Sequence, residues 1–398
     1  MKKKANRPAS GKKRRAQSGG WWLAAAVITG ALVVGLATVR RSGPGTTGAP
    51  SEARNVAPAD PAEQERALRE EQVQAAQKLT SKFPESDDAV YLLGLVHNEQ
   101  GDSVTACSQW ERSLQLDPSR ADANESLGYA LLLKDDYEGA EKYLRRALEL
   151  DYKLVTARFR LATTFVHEGR FREAVDLFEI VPSDSFTPEI HRLLGEAYQQ
   201  LKEYDKAKSA YNAALRLNPE MAEAHYALSR ISSQLGESEN ATNHFEQFTA
   251  LKHKSETQAR DVRSNYNTLV LTRQSVARTH TDVGRVYMMQ GMPREAEAFW
   301  LRAAALDSTN ILCRLQLAVH YQRSNQNAEA LRYYEEVMRL DPSDALVHMN
   351  IGRVTLKLNQ LGRAEQAFKE VVRLAPDRPE GQDALAEVRA MINAKGKP

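Results

Sequence analysis

The residues of this 398-residue chain best suited to metal or nucleophilic chemistry are nine histidines and two cysteines. Cys107 and Cys313 lie 206 residues apart, so they form neither a disulfide framework nor a zinc-ligand pair, and no Cys/His cluster has metal-site spacing. Four histidines, His191, His225, His280 and His348, occupy one slot of a unit that recurs along the chain. Equivalent slots of stacked units lie about one helix pair apart, too far to share a zinc with bonds of about 2 Å. The four are expected to pack, not to ligate. The sequence holds no glycine-rich phosphate loop, no nucleophile elbow and no His-Glu-x-x-His. No catalytic residue, metal site, cofactor or small-molecule substrate is expected, and the chain reads as a non-enzyme.

What positions these residues is a repeat. The dipeptide slot Leu93-Gly94 returns as Leu127-Gly128, Leu161-Ala162, Leu194-Gly195, Leu228-Ser229, Val283-Gly284, Leu317-Ala318 and Ile351-Gly352. Twelve residues past each small residue stands Ala106, Ala140, Ala174, Ala207, Ala241, Ala296, Ala330 or Ala364. Four further on stands Trp110, Leu144, Phe178, Tyr211, Phe245, Trp300, Tyr334 or Phe368. Units start at 87, 121, 155, 188, 222, 277, 311 and 345, with spacings of 34, 34, 33, 34, 55, 34 and 34. Pro118, Pro219, Pro342 and Pro376 close units, since proline cannot continue a helix. The small residues allow two helices to approach, and the large one fills the space to the next pair.

Over about residues 87–378 the pattern resembles the tetratricopeptide repeat family. The resemblance implies an all-α fold: a right-handed α-solenoid of about eight helix hairpins, with repeats 1–5 over 87–254 and repeats 6–8 over 277–378. It departs from the family at the tryptophan slot, which holds Val90, Asn124, Arg158, His191, His225, His280, Arg314 and His348. Repeat 3 is one residue short, and Val181-Pro182 should break its second helix early. Residues 63–86 read as a helix preceding the array, and residues 379–398 as a capping helix and tail. The 21 extra residues before repeat 6, about 255–276, carry Val262, Tyr266, Leu269 and Val270 at helical spacing and are expected to form an inserted helix, either packing or a hinge or binding element.

The resemblance also implies that the first helix of each unit lines a concave groove. There the sequence places Asp88, Tyr91, Glu125, Tyr129 and Phe159 in repeats 1–3, and Arg278, Arg285, Met289, Arg353 and Lys357 in repeats 6–8. An acidic, aromatic half followed by a basic, methionine-bearing half suits capture of a peptide in a fixed direction. The Lys/Asn carboxylate clamp of the family's chaperone-binding members is not found at matching positions.

The first 62 residues carry a different signal. Ten of the 54 Lys and Arg precede the first acidic residue, Glu52, so 44 basic face 52 acidic residues thereafter and the body has a net charge of −8. Nucleic acid is therefore not an expected partner. After the basic tail 1–20, residues 21–39 run without a charge from Trp21 to Val39; as a helix they would span roughly 28 Å, close to a bilayer's hydrocarbon core. The expectation is a single membrane-spanning helix, with the tail cytoplasmic by the positive-inside rule and a flexible linker over 40–62 leading to an extracytoplasmic body, as in a bacterial inner membrane facing the periplasm. Gly35-Leu36-Ala37 leaves open a signal peptide cleaved near Ala37, which would release a secreted accessory or glycan-binding protein. Both readings export the body, and the expected function is a protein-interaction scaffold.

Overall fold

Helix boundaries follow from the punctuation of each unit. The computed structural model describes residues 60–179, 181, 186–265 and 268–395. All fall within the second of two units into which the chain divides, Ala57–Pro398. The basic tail 1–20, the apolar segment 21–39 and nearly all of the linker 40–62 lie outside the described residues. No described helix is long and apolar enough to cross a membrane.

Eighteen helices and no strand are found among the described residues. Helix α1 (Pro61–Lys82) precedes eight hairpins: α2 (Asp87–Glu99) and α3 (Ser103–Leu116), α4 (Ala121–Leu132) and α5 (Tyr137–Leu150), α6 (Val155–His167) and α7 (Phe171–Asp176), α8 (Pro188–Gln200) and α9 (Tyr204–Leu217), α10 (Ala222–Gln234) and α11 (Ser238–Asn265), α12 (Thr268–Met289) and α13 (Pro293–Leu306), α14 (Ile311–Arg323) and α15 (Asn327–Leu340), α16 (Ala345–Lys357) and α17 (Leu361–Leu374). Helix α18 (Pro379–Lys395) follows, and Val388 on it is fully buried beside Phe368 and Val371. Starts are set by caps: Asp60, Ser86, Asp102, Asp136, Asn310 and Asp344 each accept a backbone N–H of the first turn of their helix. Asp60 with Pro61 behind it starts α1 two residues earlier than the apolar pattern alone indicates.

Between the two helices of every hairpin one residue has a positive φ. Four are Gly101, Gly169, Gly236 and Gly291, and four are Asp135, Lys202, Asn325 and Asn359. They recur at the repeat spacing. Asp and Asn tolerate this conformation through short polar side chains, whereas the exposed Lys202 (φ 59°) carries a Cβ penalty of about 1–2 kcal/mol. Lys202→Gly is accordingly expected to raise stability by roughly 0.5–1 kcal/mol after the entropy glycine brings to the unfolded chain, as read by urea denaturation.

Packing within hairpins is close. A Cβ on Gly352 would lie 2.3 Å from Phe368 Cε1, and one on Gly284 2.5 Å from Trp300 Nε1. The slot that tryptophan fills in the family this chain resembles has a polar task in five repeats here. Asn124 donates to the Arg120 carbonyl (2.8 Å), Arg314 to the Asp307 carbonyl (3.0 Å) and Arg158 to the Tyr152 carbonyl; His348 Nε2 lies 3.0 Å from the Pro342 carbonyl and His225 Nε2 3.2 Å from that of Pro219. Each side chain ties down the turn that precedes its helix. Among the described residues no three His, Cys, Asp or Glu side chains converge as a metal site.

The residues before repeat 6 correct the sequence expectation. They do not form a separate helix over 255–276; α11 runs on to Asn265 and α12 begins at Thr268, so both neighbouring helices are lengthened. Of the apolar residues read as one inserted face, Val262 falls on α11 and Leu269 and Val270 on α12, while Tyr266 lies outside the described residues. The stack of hairpins is also interrupted. Every second helix from α3 to α17 packs against the helix that follows it, except α11, whose main packing among the described residues is on α10. Phe245 on α11 is 50% exposed, while its seven counterparts are 0–3% exposed. Repeat 5 is an open end.

Helix α12 packs instead against α1 and α2. Ala75, Leu79, Ala89 and Leu92 share one buried cluster with Ala277, Val283, Val286 and Tyr287, and the Phe83 ring meets Tyr287 edge-on at 5.5 Å. The buried Gln72 Nε2, with two N–H groups to give, lies within hydrogen-bond distance of Glu99 (2.7 Å), Thr279 (2.9 Å) and Ser275 (3.1 Å). Glu71 takes a bidentate pair from Arg302 (2.8 and 2.7 Å) and lies 2.9 Å from His280 Nε2. Two stacks, repeats 1–5 and repeats 6–8, therefore both begin at α1.

Candidate functional site

The first-helix faces of the two stacks differ in how their charges are used. In repeat 1, Arg120 contacts Asp87 (2.7 Å), Asp88 (2.9 Å) and Asp122 (2.8 Å) and lies 4.4 Å from the Tyr91 ring centre. Burial alone would lower the Arg120 pKa, but Asp122 and Asp88 outweigh it and raise it. Tyr91 bonds Ser126 at 3.2 Å, and burial foremost, with the Asp122 charge, keeps its phenol un-ionised. One repeat on, Arg160 pairs with Glu125 at 2.8 Å and stacks 4.1 Å over Tyr129. In repeat 4, Arg192 pairs with Glu196 at 3.0 Å; in repeat 5, Arg230 lies 5.9 Å from Tyr226. A cavity of about 220 Å³ opens here between Arg192, Glu196, Tyr226 and Arg230.

Of the residues expected to line the groove, Asp88, Tyr91, Glu125 and Tyr129 form this ladder of arginines on aromatic rings. Phe159 does not join it; it is only partly exposed and packs on the core of repeats 2–4. Arg120 and Arg160 carry the ladder, and neither was expected from the sequence. Their signal is a basic residue one repeat away from an acid or a tyrosine.

On the second stack Arg278 lies 3.7 Å from Glu99, because α12 packs beside α2, and Arg285 lies 3.4 Å from Asp282. The acidic first repeat and the basic sixth thus meet side by side instead of standing at opposite ends of one groove. Met289, Leu312 and Leu346 are 64, 51 and 52% exposed. Arg353 and Lys357 are exposed and make no ion pair among the described residues. Burial first of all raises the Tyr334 pKa to about 12, and the charges of Arg323 and Arg353 pull against it.

Sequence models of the tetratricopeptide repeat match residues 88–112, 105–154, 131–197, 188–221, 222–253 and 315–379, more than half of the chain taken together. The chain is a tetratricopeptide-repeat protein. It is similar to the type IV pilus assembly protein PilF of Pseudomonas aeruginosa, 28% identical over 137 residues, which cover 34% of this chain and 54% of PilF. Anaphase-promoting complex subunit 3 of Dictyostelium discoideum is 39% identical over 80 residues, 19% of this chain and 8% of that protein. The chain thus spans about half, or much less, of these curated relatives. Among solved structures, MamA residues 41 to the end from Desulfovibrio magneticus is 19% identical, with 42% of this chain and 96% of MamA covered at a TM-score of 0.40. YrrB, whose structure is described as having an unusual peptide-binding site, is 18% identical, with 51% and 95% covered at a TM-score of 0.33.

Proposed function

We propose that this tetratricopeptide-repeat chain is a non-catalytic docking scaffold that holds a partner polypeptide on its first-helix faces. The observation that carries the reading is the row of large side chains left open there: Tyr129, Tyr226, Met289, Leu312 and Leu346 recur at first-helix positions of five hairpins. Rigid aromatic and aliphatic groups spaced by one hairpin suit an extended chain, whose side chains they engage in turn. PilF is by its name an assembly protein, which is in keeping with a docking role.

The same reading places the scaffold at a membrane. Residues 21–39, preceded by eight Lys and Arg, would anchor it with the repeats outside the cytoplasm, as in a bacterial inner membrane facing the periplasm. The alternative is a secreted accessory or glycan-binding protein released by cleavage near Ala37. The mass of the mature chain separates the two, because loss of the first 37 residues rejects the anchor. For docking itself, affinity capture from native extracts is expected to recover a polypeptide with the intact chain and to lose it with Arg285→Glu, Arg353→Glu and Lys357→Glu combined. Undiminished capture by that variant moves the site off the second stack.

A further inference from the structure

The two stacks do not offer a partner the same charge. On repeats 1–4 first-helix acids are already engaged by arginines: Asp87, Asp88 and Asp122 share Arg120, Glu125 pairs with Arg160 and Glu196 with Arg192. The acidic half expected from the sequence therefore keeps its negative charge but has its carboxylates paired within the fold. Repeats 7 and 8 are the reverse. Arg323, Arg353 and Lys357 are exposed, stand on first helices and have no carboxylate within 4 Å among the described residues. At the end of this stack a cavity of about 170 Å³ opens between α16 and α18, lined by Arg353 and Arg378 with Leu346, Met349 and Asn350 between them. Its one acid, Glu380, makes no ion pair among the described residues either. Leaving cations unpaired beside an open aliphatic floor, in a chain whose body is net acidic, is a pattern that a ligand completes.

We propose that the first-helix face of repeats 7 and 8 binds an acidic polypeptide segment whose carboxylates are separated by aliphatic residues. The proposal rests on the docking reading above and gives the partner its chemistry. Arg353 and Arg378 take carboxylates in forked hydrogen bonds, and Leu346 and Met349 take the aliphatic side chains between them. Single-stranded nucleic acid shares the negative charge, but it is held by bases stacking on open aromatic rings. The large side chains that stand open on residues 277–378 are all aliphatic, Met289, Leu301, Leu312, Leu340 and Leu346. The net charge of −8 after residue 41 also opposes a long polyanion.

The test is fluorescence anisotropy on the purified full chain in non-ionic detergent. The probes are labelled twelve-residue peptides alternating Glu with Leu, Gln with Leu, and Lys with Leu, together with an oligothymidine of equal length. The Glu–Leu peptide is expected to bind at least tenfold more tightly than the others, about 1.4 kcal/mol. Arg353→Glu with Arg378→Glu is expected to remove that preference, while Lys142→Glu on the second helix of repeat 2 leaves it intact. All three residues are at the surface, so thermal melts of the variants should match wild type. Equal binding of the Gln–Leu peptide, tighter binding of oligothymidine, or a preference that survives the double substitution overturns the proposal. If those results accompany a polypeptide still captured from extracts, only the acidic specificity fails; if nothing is captured, the docking reading fails with it.

Discussion

Trp300→Ala is expected to destabilise the protein by about 3–5 kcal/mol in urea denaturation, and Phe245→Ala by less than about 1. The two residues hold the same position in repeats 6 and 5, but Trp300 is 1% exposed and Phe245 50%. Trp300 fills the space between Gly284, Ala296 and the next hairpin, and its indole N–H donates to the Thr281 carbonyl at 3.1 Å. Truncation there leaves a cavity and removes that hydrogen bond. Phe245 has α10 behind it and solvent in front, since α12 packs against α1 and α2 instead of against α11. Equal losses at the two sites would mean that another element covers repeat 5 and that the first stack continues.

The second large effect concerns the contact from which both stacks start. Leu79 is fully buried between α1 and the second stack. Leu79→Asp puts a carboxylate there without a partner, a cost of several kcal/mol that undocking α1 relieves. Hydrogen exchange is expected to show lost protection in α1, α2 and α12 while α8 to α10 keep theirs. Uniform loss across all hairpins would contradict two stacks meeting at one helix.

Acid should act on the same contact. The Arg302 guanidinium, and to a lesser degree His280, holds the Glu71 carboxyl below its usual range against the effect of burial. Burial holds His280 below its ordinary value of 6.5, opposed by Glu71. Both groups bind protons more readily in the unfolded chain, so their contribution is complete above about pH 6.5 and declines as pH falls, through His280 first and then Glu71. Stability is thus expected to fall between pH 7 and pH 4 in the wild type, and less so in a Glu71→Gln, His280→Gln variant.

Much of this architecture is legible in the sequence because each hairpin repeats one packing problem. The alanine and the large residue at fixed spacing are buried in seven repeats, and repeat 3 loses most of its second helix, α7 having six residues. What the period cannot carry is any contact between distant units. The apolar face of α1 is weak when read alone, with Leu68, Ala75, Ala76 and Leu79, and it becomes a core only when Tyr287 and Val283 of repeat 6 arrive. Charge pairing is hidden for a similar reason. Asp88 and Glu125 read as open acids because their partners stand far off in sequence, Arg120 at the far end of the same unit and Arg160 in the next one. Phe159 reads as a groove residue from its register, yet it packs into the core of repeats 2–4.

The most direct measurement of the docking claim is photocrosslinking in intact cells, with p-benzoylphenylalanine placed at Leu346 on a first helix or at Leu301 on a second helix. Both positions are exposed, so neither replacement disturbs the core. The account predicts a discrete crosslinked polypeptide from position 346 and none from 301. Crosslinks from 301 alone would place the partner on the outer helices and contradict it.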